Sequence, residues 1–146
     1  MAISQAMCTS FKKELLEGKH DFNSAGHTFK IALYSAAATL SAGTTNFTTS
    51  GEVVGAGYSS GGIELTKVDP TADGTVGITN FATATFTAVS ITARGGLIYN
   101  TTTDGTSSTT NAVCVLDFSS DQTAVAGNFV VSFPTADGTS AILRVE

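Results

Sequence analysis

The sequence predicts a mainly β fold. The expected form is a β-sandwich or jelly-roll-like domain of about eight or nine short strands with one N-terminal amphipathic helix, in a single domain over 1–146. The helix falls in 1–18 and the β domain in 28–146. Three observations carry this. Charged residues are only 13% of the chain, about half the ~25% of an average globular domain. Ser and Thr fill the gap, and Thr, branched at Cβ, packs well on a pleated surface. Short apolar runs alternate with Gly-, Asp- and Asn-rich turn signals along the whole length after residue 28. Finally, apolar residues at helical spacing occur convincingly in one place, near the N-terminus.

That helix is expected to start at Ser4 as cap and to run to Leu16 or Glu17. Met7, Phe11 and Leu15 recur at i, i+4 and i+8, Cys8 and Leu16 widen the stripe, and Gly18 is a natural stop. A start capped by Ser10 would put Lys12 and Lys13 in the first turn and Glu14 and Glu17 in the last, both against the helix dipole, so the longer helix is favoured. The stripe must be covered, either by the chain's own sheet or by a neighbouring subunit. Lys19–Gly26 reads as a polar connector. Thr28–Ser35 alternates Phe29, Ile31 and Leu33 against Lys30, Ala32 and Tyr34, the pattern of a half-buried strand. Ala36–Ser50, long and small-residue-rich, is expected to be a loop and a contact arm.

Further strands are expected at Glu52–Val54, Ile63–Val68, Val76–Phe81, Phe81–Ala93, Gly95–Asn100, Ala112–Phe118, Asn128–Phe133 and Ser140–Val145, with a bulge or break near Phe86. Gly55–Gly62 reads as a flexible loop, Thr101–Asn111 as a low-complexity loop, and Ser119–Gly127 as a turn. The hexapeptide PTADGT occurs at Pro70–Thr75 and again at Pro134–Thr139. Asp-Gly is a hairpin-turn signal, so each copy is expected to close a hairpin, the second between Asn128–Phe133 and Ser140–Val145.

The composition narrows the function classes. A net charge of −5 and seven scattered Lys and Arg argue against nucleic acid and anionic membranes, which need basic surface. The N-terminal residues lack the basic-then-apolar order of a signal peptide, and no run approaches a transmembrane helix. Cys8 and Cys114 are expected to be buried free thiols. G-Y-S-S-G at Gly57–Gly61 matches the nucleophile-elbow pattern with Ser59 as nucleophile. A strand follows it rather than a helix, and both His20 and His27 precede it, so a Gly-rich loop is expected. His20, Asp21 and His27 show no spacing that fixes a metal. No catalytic residue, cofactor or metal site is expected, and the chain is read as a non-enzyme. Tyr34, Tyr58 and Tyr99 could form a carbohydrate platform only by converging.

The phrases SFKKELLEG (Ser10–Gly18), HTFKIALYS (His27–Ser35), GEVVGAGYSSGG (Gly51–Gly62), ITARGGLIYN (Ile91–Asn100) and VCVLDFSSD (Val113–Asp121) together resemble a group of small structural proteins encoded in tailed-bacteriophage genomes. The resemblance covers most of the chain and implies a virion component made in the host bacterial cytoplasm. Its leading form is a capsid decoration or cement protein. Such a protein contacts the major capsid protein or other virion subunits, acts as a homo-oligomer on the particle, and bridges shell subunits through many weak contacts. The alternatives are a head–tail connector, tail or baseplate protein, or a surface module binding a host or carbohydrate. Met7, Phe11, Leu15, Leu16, Phe47 and Tyr58 are the expected interface residues. The contact elements would be the N-terminal helix, the Ala36–Ser50 arm and the Thr101–Asn111 loop. On this reading a chain lacking Met1–Gly18 stays folded and loses capsid binding.

Overall fold

A computed structural model describes residues 2–102 and 110–146. Strand accounts for 49% of the chain and helix for 6%, so the protein is mainly β. In chain order the elements are β1 (Ala6–Met7), α1 (Thr9–Leu16), β2 (Phe29–Tyr34), β3 (Ile63–Glu64), β4 (Lys67–Asp73), β5 (Val76–Phe81), β6 (Ala84–Asn100), β7 (Asn111–Val131) and β8 (Leu143–Val145). They form two antiparallel sheets, β1-β7-β6-β2-β3 and β4-β5-β8. The arrangement is sandwich-like.

The helix is shorter than its apolar spacing suggests. Ala6 and Met7 instead pair with Val115 and Cys114 as an edge strand, and α1 begins only at Thr9 with Cys8 as an extended N-cap. Edge pairing satisfies backbone groups of this segment against β7, which outweighs one more helical turn. The stop is as expected. Gly18 takes φ +73°, the Gly18 N–H donates to Leu15 O at 3.1 Å and the Lys19 N–H to Glu14 O at 3.0 Å, the paired bonds of a Schellman cap. Cys8 and Phe11 are 0% and 1% exposed. The segment therefore contributes to the core.

β2 is buried on both faces rather than one: β6 and β3 pair its edges, the aromatic residues pack on one face, and the segments after Ser35 fold over Tyr34 on the other. Phe29 stacks on Phe22 with centroids 4.4 Å apart, Phe11 meets Phe22 edge-on, and Phe81 of the small sheet leans on both Phe29 and Phe133. This aromatic column joins α1, the supposedly polar connector, and both sheets. On the large sheet, the Ala36–Ser50 segment is tied down over Tyr34 and Tyr99. The Tyr34 hydroxyl donates to Thr48 O at 2.6 Å, Phe47 stacks on Tyr99 at 4.8 Å, Ala38 and Leu40 are buried, and Leu40 bridges Ile3.

Eight strands form among the described residues, but two are long. Phe81–Ala93 and Gly95–Asn100 are not separate strands: Ala84–Asn100 is one strand of 17 residues. Ser119–Gly127 is no turn, because β7 runs through it for 21 residues. Bulges absorb the changes of face that look like breaks in the sequence. Register shifts fall between Phe86 and Val89, Val89 and Ile91, Ala93 and Gly95, and Ile98 and Tyr99. The expected irregularity near Phe86 is thus present, as a bulge. Glu52–Val54 is not a strand. Glu52 makes a single bridge to Tyr34, and Val53 N–H donates to Leu33 O. After Glu64 the chain leaves the large sheet, turns over buried Leu65 and enters the small one at Lys67.

The two PTADGT copies do different work. In the first, Asp73 ends β4 and Gly74 (φ +60°) opens a two-residue turn into β5, as a Gly-first hairpin turn requires. Pro70 fits within β4 because that strand is a sheet edge. The second copy closes no hairpin. Asn128–Val131 pairs with β6 and β8 pairs with β5, so Pro134–Thr139 is a crossover between sheets. Its Gly138 N–H donates to the Asp73 carboxylate of the first copy at 2.7 Å. The related TDGT at 103–106 lies outside the described residues.

Candidate functional site

Three places gather polar or apolar groups. The Gly55–Gly62 loop is packed, not loose. A Cβ at Gly55, Gly57 or Gly62 would lie 2.0 Å from Ser90 O, 2.3 Å from Ala88 O and 1.7 Å from Ile31 O respectively, so the loop lies flush on the backbones of β6 and β2. Glu52 organises it. Its carboxylate accepts from the Tyr58 hydroxyl at 2.8 Å, the Ser60 hydroxyl at 2.7 Å and the Gly61 N–H at 2.6 Å. Tyr58 also accepts from the Leu33 N–H at 3.0 Å, and the Tyr99 hydroxyl donates to Gly61 O at 2.6 Å. Burial pushes Tyr99 up to about 12. It raises Tyr34 and Tyr58 well above the ordinary phenol range too, with the Glu52 charge adding to both. The three tyrosines thus act as neutral donors inside the fold. Ser59 is exposed, and His20 and His27 each bond the Asn100 amide.

The second place is a polar node under α1. The Asn100 side-chain amide donates to His20 Nδ1 and to His27 Nδ1, each at 3.0 Å. Its oxygen accepts from the Thr102 N–H at 2.9 Å, which fixes the amide's orientation. His20 Nε2 in turn faces Glu14 Oε1 at 3.1 Å, and the Asn111 amide donates to the other Glu14 oxygen. The His20 side chain is 1% exposed and its ring meets Phe11 at 4.8 Å. The node therefore stitches α1 and the connector to the β6–β7 end of the sheet. Among the described residues no group of three His, Cys, Asp or Glu is placed to hold a metal ion. Cys8 and Cys114 are free and buried. Burial, then the Glu14 charge, raises the Cys8 thiol to about 11, and burial raises Cys114 further, which makes both poor nucleophiles.

The third place is open. A groove of about 340 Å³ runs between α1 and the small sheet, lined by Met7, Phe11, Leu15 and Phe22 on one side and by Pro70, Ile78, Leu143 and Val145 on the other. The sequence-expected interface residues fall as follows. Met7 and Leu15 are half-buried on this groove, and Phe11 lies in its floor, inside the core. Leu16 stands 93% exposed at the end of α1. Phe47 and Tyr58 are half-buried in the loops that cover the large sheet. Of the expected contact elements, residues 103–109 lie outside the described residues. Exposed Val54 and Val125, which share a shallow depression, and Val145 were not singled out by sequence. No family model matches the chain, and neither a curated protein nor a solved structure matches it.

Proposed function

We propose that the protein is a structural subunit of a tailed-bacteriophage particle, acting as a capsid decoration or cement protein. The sequence phrases that resemble such proteins support this reading. The observation that carries it is where the N-terminal unit leaves apolar surface. It buries Phe11 and Cys8 but leaves Leu16 exposed beyond Leu15 and an apolar groove, on a charge-poor molecule. Its polar groups meanwhile serve the fold. Such surface suits protein–protein contact, and repetition over a shell makes weak single contacts sufficient. Removing Met1–Gly18 would take Phe11 and Cys8 out of the core, so the informative variant is Leu16→Lys. It is expected to keep the wild-type circular dichroism spectrum and to lose binding to purified capsids. Failure of the wild-type chain to bind purified capsids, with mass spectrometry of particles finding the chain absent, overturns the reading. Presence at a small fixed number of copies, rather than in proportion to the major capsid protein, moves it to the connector, tail or baseplate.

A further inference from the structure

The small sheet ends in an edge that is complementary to itself. β8 pairs with β5 through Leu143, Arg144 and Val145, and among the described residues no strand pairs with its other side. An open edge offers backbone donors and acceptors to any extended segment, and short strands, bulges, prolines or charged side chains blunt it. β8 is short and charged, but its charge and that of Glu146 just beyond it are of opposite sign. Leu143 and Val145 alternate onto the face that lines the apolar groove under α1, with Val145 60% exposed. Arg144 and Glu146, of opposite sign, alternate onto the other face, and both are exposed.

We infer that β8 pairs antiparallel with β8 of a second copy of this chain, across a two-fold axis at Val145. In that register each Val145 lies opposite its symmetry mate, and each Arg144 lies directly opposite Glu146 of the other copy. The two charge pairs are identical by symmetry, as an isologous contact demands. Directly opposed unlike charges favour a strand pair, and like charges oppose it. The two three-stranded sheets then form one continuous sheet, and the grooves of both copies meet across the axis. Arg144 now reaches Gly138 O only weakly, at 3.4 Å, so it is available to the new partner. The inference stands on this edge alone and does not depend on a virion role.

The register dictates its own test, a charge swap read by light scattering coupled to size-exclusion chromatography on the full chain. Wild type is expected at twice its 14.8 kDa mass. Arg144→Glu and Glu146→Arg each set like charges against each other and should weaken the dimer by about tenfold or more. The double variant R144E/E146R restores both pairs and the dimer. Mixing the two single variants should yield a heterodimer, because each Glu then meets an Arg. Both positions are exposed, so the variants should keep the wild-type circular dichroism spectrum. Three results overturn the inference: a monomeric wild type at its highest soluble concentration, single variants that dimerise as wild type does, or folded singles that stay monomeric when mixed.

Discussion

The β6–β7 ribbon passes through two environments. Near its loop end, Gly95–Asn100 against Asn111–Leu116, every residue is buried on both faces. One face lies under the Ala36–Ser50 segment and the other under the aromatic column. At the far end, Ala84–Ala93 against Gln122–Val131, burial alternates. Phe86, Val89, Ile91 and Phe129 point inward, while Thr85, Thr92, Thr123 and Val125 face water. Ala88 and Ala126, both with positive φ, and two register shifts lie in this far end. The packed end is not free of irregularity, since one register shift falls between Ile98 and Tyr99, but both positive-φ alanines and two of the shifts gather where one face is open. Packing, not hydrogen bonding, separates them, since both ends keep their ladder.

The contrast is tested most strongly by removing one side chain from each end. Leu97, fully buried at the loop end, should cost ~2–5 kcal/mol when changed to Ala. Val125, 79% exposed at the far end, should cost less than about 0.5 kcal/mol. Urea unfolding of the two variants measures the difference, and equal losses would mean that burial does not divide the ribbon.

This division also separates what the sequence discloses from what it withholds. Local chemistry was legible. Gly18 stops α1, Gly74 turns β4 into β5, and the change of apolar face after Phe86 marks a bulge, because each depends on neighbours in the chain. Long-range partnership was not. Thr28–Ser35 alternates like a half-buried strand, but the Ala36–Ser50 and Glu52–Gly62 segments fold back over Tyr34 and bury its second face. Ser119–Gly127 has the composition of a turn, yet pairing with β6 keeps it extended. The interface stripe was only partly legible. Helical spacing grouped Met7, Phe11 and Leu15, but pairing of Ala6–Met7 with β7 took Met7 out of the helix. Phe22, Glu52 and Asn100 gave no signal, because each matters through contacts made far along the chain.

The packed end should also report itself in alkaline solution. Cys8 lies against β7 there, and burial raises its thiol from 9.0 to about 11. Tyr99 is raised from 10.0 to about 12. In this window the folded chain keeps protons that the unfolded chain releases. The stabilisation is therefore complete below pH 9 and is lost as the pH rises towards 11 for Cys8, and between 10 and 12 for Tyr99. The Cys8 part is on the order of 2 kcal/mol. Urea midpoints measured from pH 8 to 11 should fall, and Cys8→Ala should flatten the fall between 9 and 11. An unchanged slope in that variant would place the sensitive groups elsewhere.

The smallest effect belongs to the irregular end and should have the opposite sign. Ala88 sits at φ +53°, in the left-handed region that costs a residue with a Cβ roughly 1–2 kcal/mol. Its side chain is exposed, so truncation forfeits little packing, and its N–H bond to Asn128 Oδ1 at 3.4 Å does not involve the side chain. Glycine removes the strain but gives the unfolded chain extra freedom worth about 0.4–1 kcal/mol. Ala88→Gly should therefore stabilise the protein by roughly 0.5 kcal/mol, although glycine inside a regular strand ordinarily weakens it. The same substitution at Ala93, fully buried in the same strand with no positive φ, is the control and should destabilise. If thermal unfolding shows both variants losing stability alike, the positive φ at Ala88 carries no strain, and the far end is as regular in energy as the packed one.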